Sequence, residues 1–321
     1  LVVINGAGAT FPYPLYSKWF SEYRKVDPAA EINYQSIGSG GGIRQFLDGT
    51  IDFGATDAPM TPEQKAKAKG PVFHVPTALG AVVVTYNLAG VAEPLRLAPE
   101  TLASIFLGKI TQWNDPRLTA LNPGVSLPAQ PIALIHRSDA SGTTAIFSEY
   151  LGQVSSEWRE TVGVGPALKW PAGLGGKGNE GVTGLVRTTP GALGYVELVY
   201  ARTNGLPMAS LRNRAGRFVS PSEQSLKAAA EKAVARLGSN PVDELVVSIV
   251  DSEGQEAYPI ASFTYLLVSG KMSGAKGKTL VAFLGWALGD GQKLAPPLHY
   301  APLPEALIAR VEARVRQIVV E

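Results

Sequence analysis

The chain has 321 residues, of which 45% are hydrophobic and 17% charged, enough for a core and long enough for two domains of roughly 100–200 residues each. A disordered or fibrous chain is excluded. Lys+Arg minus Asp+Glu is 29 − 27 = +2, too even a balance to point to nucleic acid or a membrane surface, and the absence of cysteine excludes disulfides, thiolate metal sites and cysteine nucleophiles.

Short apolar runs alternate with helix-like segments along the chain, the pattern of an α/β fold. Residues 1–4 read as a strand ending in Asn5-Gly6-Ala7-Gly8, and residues 12–23 place Leu15, Trp19, Phe20 and Tyr23 at helical spacing. Residues 32–36 alternate as a strand before Gly38-Ser39-Gly40-Gly41-Gly42, after which Ile43, Phe46 and Leu47 share one helix face. Residues 52–56 form a further short strand. The uncharged stretch 75–92 has Pro76, Thr77, Thr85 and Asn87 within it, so it reads as a buried strand with flanking loops rather than a membrane span. Later come a strand at 132–136, helices at 144–151 and 222–237, a strand at 258–268, and helices at 280–288 and 305–319. Residues 82–86 and 260–267 are the expected crossovers between two domains. Residue 1 enters an apolar stretch with no charged n-region, so the expectation is a cytosolic chain or a mature exported one.

Three loops share one design. Gly8-Ala9-Thr10-Phe11, Gly38-Ser39-Gly40-Gly41-Gly42 and Ser141-Gly142-Thr143-Thr144 each follow a strand and open a helix. Helix starts expose unpaired N–H groups and a partial positive charge, glycine admits a ligand to that backbone, and hydroxyls add adjustable donors. Each of Thr10, Ser39 and Ser141 alone would read as an ordinary N-cap. Three such loops beside Arg137 favour an anion site.

Other motifs are weaker. Gly173-Leu174-Gly175-Gly176-Lys177-Gly178 matches a dinucleotide fingerprint, but Trp170-Pro171 precedes it, and it reads as a turn leading to an N-cap at Asn179. His74, His136 and His299 lie far apart and read as structural or solvated, not as metal or catalytic groups. Asp52 and Asp57 could pair as general acids, although a strand-end carboxylate beside a turn is usually a cap.

Several segments together closely resemble the phosphate-binding proteins of the bacterial ABC phosphate uptake system, the PstS family. They are Gly6-Ala7-Gly8-Ala9-Thr10-Phe11-Pro12, Ile37-Gly38-Ser39-Gly40-Gly41-Gly42, Asp52-Phe53-Gly54-Ala55-Thr56-Asp57-Ala58-Pro59 and Arg137-Ser138-Asp139-Ala140-Ser141-Gly142-Thr143. Trp170-Pro171, the glycine run ending at Asn179, Pro190-Gly191-Ala192-Leu193-Gly194-Tyr195 and Tyr300-Ala301-Pro302-Leu303-Pro304 follow in family order.

The resemblance implies a two-lobe periplasmic-binding-protein fold of type II, each lobe a mixed sheet flanked by helices, joined by crossover strands. Residues 1–83 and 256–321 would form lobe I and 84–255 lobe II, with a phosphate cleft between them. Carried over, the ligand contacts fall on Thr10, Phe11, Ser39, Asp57, Arg137, Ser141, Gly142 and Thr143. Thr10, Ser39, Ser141 and Thr143 would give hydroxyls, Phe11 and Gly142 backbone N–H groups, and Arg137 a fork held by Asp139. His136 stands outside the site. The resemblance further implies a high-affinity, non-enzymatic, monomeric phosphate receptor in the periplasm that delivers its ligand by hinge closure to membrane permease subunits. No cofactor, metal or nucleic acid is expected, and with no lipid-acceptor cysteine, lipid anchoring is unsupported. Receptors for sulfate or molybdate, and a phosphatase, are the alternatives.

Overall fold

β1 (Val2–Gly8) leads into α1 (Tyr13–Val26), β2 (Ala30–Ser36), α2 (Ser39–Asp48) and β3 (Phe53–Thr56). β4 (Val72–Tyr86) is fifteen residues long and buried from Phe73 onward, which is why its apolar run shows no alternation. Then come β5 (Ala133–Arg137), α3 (Gly142–Val154), β6 (Leu174–Gly176), α4 (Gly178–Thr188), β7 (Ala192–Glu197), β8 (Ala261–Ser269) and α5 (Gly274–Leu288). These elements belong to a computed structural model that describes residues 1–91, 94–237 and 245–321. Ala92, at the end of the uncharged stretch, lies outside the described residues, as do residues 238–244 of the expected second lobe.

The chain divides into two units. The first comprises Leu1–Gly80, Ala230–Ser248 and Phe263–Glu321, and the second Ala81–Ala229 and Ile249–Ser262. The chain passes from one to the other within β4, after Ala229, after Ser248 and within β8. In the first unit the strand order is β2-β1-β3-β8, with β1 parallel to both its neighbours and β8 antiparallel to β3. The second unit has the order β4-β7-β5-β6, with β4 antiparallel to β7 and the remaining pairs parallel. Parallel pairs joined through helices place the helix-opening loops at the carboxyl ends of strands, where α/β folds bind ligands.

Each unit has its own aromatic core. Phe20, Tyr34 and Phe53 meet in the first, with Tyr34 stacked on Phe53 at 6.2 Å. In the second, Phe147 of α3 stacks on Tyr195 of β7 at 4.3 Å and 9°, and Trp170 covers Tyr195 from 5.7 Å. Such pairs stabilise by about 0.5–1.5 kcal/mol beyond their buried area.

Two helices differ from the sequence reading. The segment 222–237 is two short helices, Glu223–Ala230 and Ala233–Arg236, separated by a turn that keeps Glu231 and Lys232 in solvent. The last helix, Glu305–Val315, ends four residues before the expected 319, because Val319–Val320 pairs as a strand with Lys271–Met272. Adjacent β-branched valines suit a strand better than a helix end. Among the described residues no helix is long and apolar enough to cross a membrane.

Candidate functional site

Arg137 is the last residue of β5, and its side chain is only 1% exposed. Its Nε and Nη2 each donate to a different oxygen of Asp139 at 2.7 Å, a bidentate fork. The Gly178 N–H at the start of α4 donates to the same carboxylate at 3.1 Å. The backbone N–H of Arg137 donates to the Tyr195 hydroxyl at 3.1 Å, so position and orientation are both fixed. Arg137 Nη1 is buried and has no hydrogen-bond partner. A buried unpaired donor costs about 1–3 kcal/mol, more when charged, so a guanidinium held this way is poised for an anion.

Burial pushes the Asp139 carboxyl up, but the hydrogen bonds and charge of Arg137, with the Gly178 N–H, outweigh it and hold the group below the ordinary carboxylate range. A carboxyl depressed in the fold stabilises the protein above its unfolded pKa of about 3.9 and loses that contribution as pH falls through the folded value. Asp139→Asn is therefore expected to flatten the acid limb of a melting-temperature profile. At neutral pH it should cost about 3–5 kcal/mol, because Arg137 loses its charge partner. Superimposable pH profiles for parent and variant would overturn this.

Beyond Asp139 the chain turns into α3, and Ser141 is the N-cap whose Oγ accepts the Thr144 N–H at 3.0 Å. With that oxygen used as an acceptor, the Ser141 proton is left to be donated. Thr143 is set the same way. The Glu197 N–H donates to Asn179 Oδ1 at 2.9 Å, which fixes the amide orientation, and Asn179 Nδ2 then donates to Thr143 Oγ1 at 3.0 Å. Both hydroxyls are buried, with their protons left to be donated. Asn179 is the second residue of α4 and not its N-cap, which is Lys177, and β6 replaces the expected turn ahead of it.

The first unit holds Thr10, Phe11, Ser39 and Asp57, all 3% exposed or less. Thr10 and Ser39 are not N-caps: α1 is capped at Pro12 and α2 at Gly38, and Ser39 is the first residue of α2. Ser39 Oγ accepts the Asp57 N–H at 3.2 Å, and Thr264 of β8 donates its hydroxyl to Asp57 Oδ1 at 2.7 Å. The Phe11 carbonyl accepts the Tyr300 hydroxyl at 2.6 Å, and the Phe11 ring is fully buried. A Cβ at Gly42 would lie 2.5 Å from Gly8 Cα and 2.8 Å from the Ala7 oxygen. At this position the glycine run serves the close packing of α2 on β1.

The remaining sequence candidates have structural partners. His74 Nε2 accepts the Met60 N–H at 3.0 Å, and His136 stacks on Trp170 at 4.7 Å. Asp52 accepts the Asn5 N–H at 2.8 Å and pairs with Lys276 at 3.1 Å, so its partners are not those of Asp57. Among the described residues no group of three His, Cys, Asp or Glu could hold a metal ion.

Comparison with known proteins gives these loops a context. A family model described as a PBP superfamily domain matches residues 2–290. The phosphate-binding protein PstS of Pasteurella multocida (strain Pm70) is 44% identical over 313 residues, covering 97% of this chain and 89% of that protein. The chain belongs to the PstS family. Within the PstS family it also matches the protein of that name from Xylella fastidiosa (strain Temecula1), at 46% identity over 97% of this chain and 84% of that one. A solved structure of a phosphate-binding protein from Stenotrophomonas maltophilia superposes with a TM-score of 0.77 at 21% identity, covering 98% of this chain and 94% of that chain. A high-affinity periplasmic phosphate-binding protein with bound phosphate gives 0.78 at 23% identity, covering 97% and 93%. This PstS-family chain thus has the periplasmic-binding-protein fold, a mixed α/β architecture, as its resemblance implied.

Proposed function

We propose that this chain is a periplasmic receptor that binds inorganic phosphate tightly and presents it to the permease subunits of an ABC phosphate transporter, without catalysing a reaction. The observation that carries this reading is the buried Arg137 guanidinium, forked on Asp139 with Nη1 unpartnered, in a member of the PstS family. Arg137, Ser141, Gly142 and Thr143 in one unit and Thr10, Phe11, Ser39 and Asp57 in the other are the proposed ligand set. Membership of the PstS family supports phosphate as the anion, and Asp57 favours it over sulfate or molybdate, because only a protonated oxyanion can donate to a carboxylate. A phosphatase is disfavoured at Ser141, since among the described residues no histidine or carboxylate is hydrogen-bonded to its hydroxyl, whose oxygen accepts a backbone N–H.

Calorimetric titration of ligand-free protein with phosphate, sulfate and molybdate tests the reading, with heat expected from phosphate alone. Comparable heats from all three would overturn phosphate selectivity, and steady phosphate release from a generic ester would overturn the non-enzymatic assignment.

Delivery by hinge closure is part of the proposal. One phosphate contacting donors of both units would favour a closed state by the contacts made only there. Saturating phosphate is then expected to reduce the radius of gyration in solution scattering and to raise the melting temperature. Identical scattering curves for protein stripped of ligand and protein saturated with phosphate would count against a hinge.

A further inference from the structure

We infer that Thr264 is a positioning residue for Asp57, and that its hydroxyl sets the pH range over which the proposed site rejects unprotonated oxyanions such as sulfate. The inference rests on the proposed reading of Asp57 as a ligand contact. Thr264 and Asp57 are 207 residues apart in sequence and both buried, and the Thr264 hydroxyl donates to Asp57 Oδ1 at 2.7 Å. A hydrogen bond to a carboxylate oxygen favours the ionised form, against the desolvation that favours the neutral one.

The proton order behind the Thr264 backbone follows from its neighbours. The Thr264 carbonyl can only accept, so Thr77 Oγ1, at 3.2 Å, donates to it. Thr77 Oγ1 must then accept from the Tyr16 hydroxyl at 2.7 Å. Gln292 Nε2 donates to the Thr77 carbonyl at 2.8 Å and pins that strand residue. Tyr16, Thr77 and Thr264 are each 1% exposed or less. The backbone of Thr264 is thereby anchored from α1 and β4, and its hydroxyl, which also lies beside the Tyr16 phenol, donates to Asp57 at 2.7 Å. The Tyr16 phenol of α1 is a titratable group facing this cluster, pushed up by burial and kept protonated. Ser39 of α2, Thr77 of β4 and Thr264 of β8 do not titrate.

An ionised Asp57 can accept a hydrogen bond from HPO₄²⁻ but leaves sulfate facing an unpaired, repelling acceptor. A protonated Asp57 can itself donate, and sulfate becomes acceptable. Removing the Thr264 hydroxyl raises the pH at which this exchange occurs. Sulfate and phosphate binding to the full chain would be titrated from about pH 4 to pH 8 for the parent, Thr264→Val and Thr264→Ser. In Thr264→Val, sulfate binding is expected to appear about one pH unit or more above its onset in the parent. Thr264→Ser, which keeps the hydroxyl, should restore the parental profile.

Coincident profiles for Thr264→Val and the parent, or an equal shift in Thr264→Ser, would overturn the inference. Should Thr264→Val not fold, Thr264→Ala gives the same readout with a smaller side chain. Asp57→Asn separates the two levels. If that variant admits sulfate while Thr264→Val shifts nothing, Thr264 alone is misassigned. If Asp57→Asn rejects sulfate as the parent does, the reading of Asp57 falls and this inference with it.

Discussion

Arg137→Ala is expected to weaken phosphate binding by about 30-fold to several thousand-fold. Truncating one member of a buried, hydrogen-bonded charge pair costs about 2–5 kcal/mol, and each 1.4 kcal/mol is tenfold in affinity. A mere surface ion pair would contribute about 0–1 kcal/mol, and a side chain 1% exposed and forked on Asp139 is not one. Arg137→Lys should recover little, since an ammonium cannot make the two parallel bonds that aim the guanidinium at 2.7 Å. Calorimetry with phosphate measures the loss, and a melting curve without ligand separates it from unfolding. Affinity within threefold of the parent, with the fold intact, would place Arg137 outside the site.

The parts of this site that were legible in the sequence are those with a local cause. Ser141 ahead of Gly142-Thr143-Thr144 is a helix start whichever fold contains it, and α3 begins there. That Asp139 holds Arg137 was implied by the family resemblance, and the structure pairs the two in a bidentate fork. The residues that hold these groups in place were not legible, because their partners are remote in the chain. Asn179 reaches Thr143 across 36 residues, Tyr300 reaches the Phe11 carbonyl across 289, and Thr264 reaches Asp57 across 207. No periodicity or cap rule carries such pairings, which arise only when strands and helices pack. Asn179 gave a misleading signal, because asparagine before a helical run ordinarily reads as an N-cap. Similarly, β6 is three residues with two glycines, which sequence alone reads as a turn, and its register with Ile135, His136 and Arg137 is what makes it a strand. The glycines of α2 were legible as a loop signal, yet Gly42 is demanded by the backbone of β1.

Asp57→Asn is expected to keep phosphate binding and to make sulfate binding, negligible in the parent, measurable. A carboxylate in an anion site opposes its ligand unless the ligand brings a proton. HPO₄²⁻ brings one and SO₄²⁻ does not, and a site built around a buried acceptor can reject the analogue lacking the donor by about 10⁴–10⁵. The surroundings of Asp57 fit an acceptor: the residue is 3% exposed, Thr264 donates to Oδ1, and its own N–H is fixed on Ser39 Oγ. Asparagine preserves an oxygen for Thr264, removes the charge and adds an N–H₂ donor that an unprotonated oxyanion can accept. Phosphate then loses one acceptor but keeps Arg137 and the hydroxyls, so its affinity should fall far less than in Arg137→Ala. A structural role at the strand end predicts the opposite pattern: a lower melting temperature with sulfate still excluded. Competition of sulfate against bound phosphate, in parent and variant at neutral pH, distinguishes the two. A variant that excludes sulfate as fully as the parent would remove Asp57 from the selectivity mechanism.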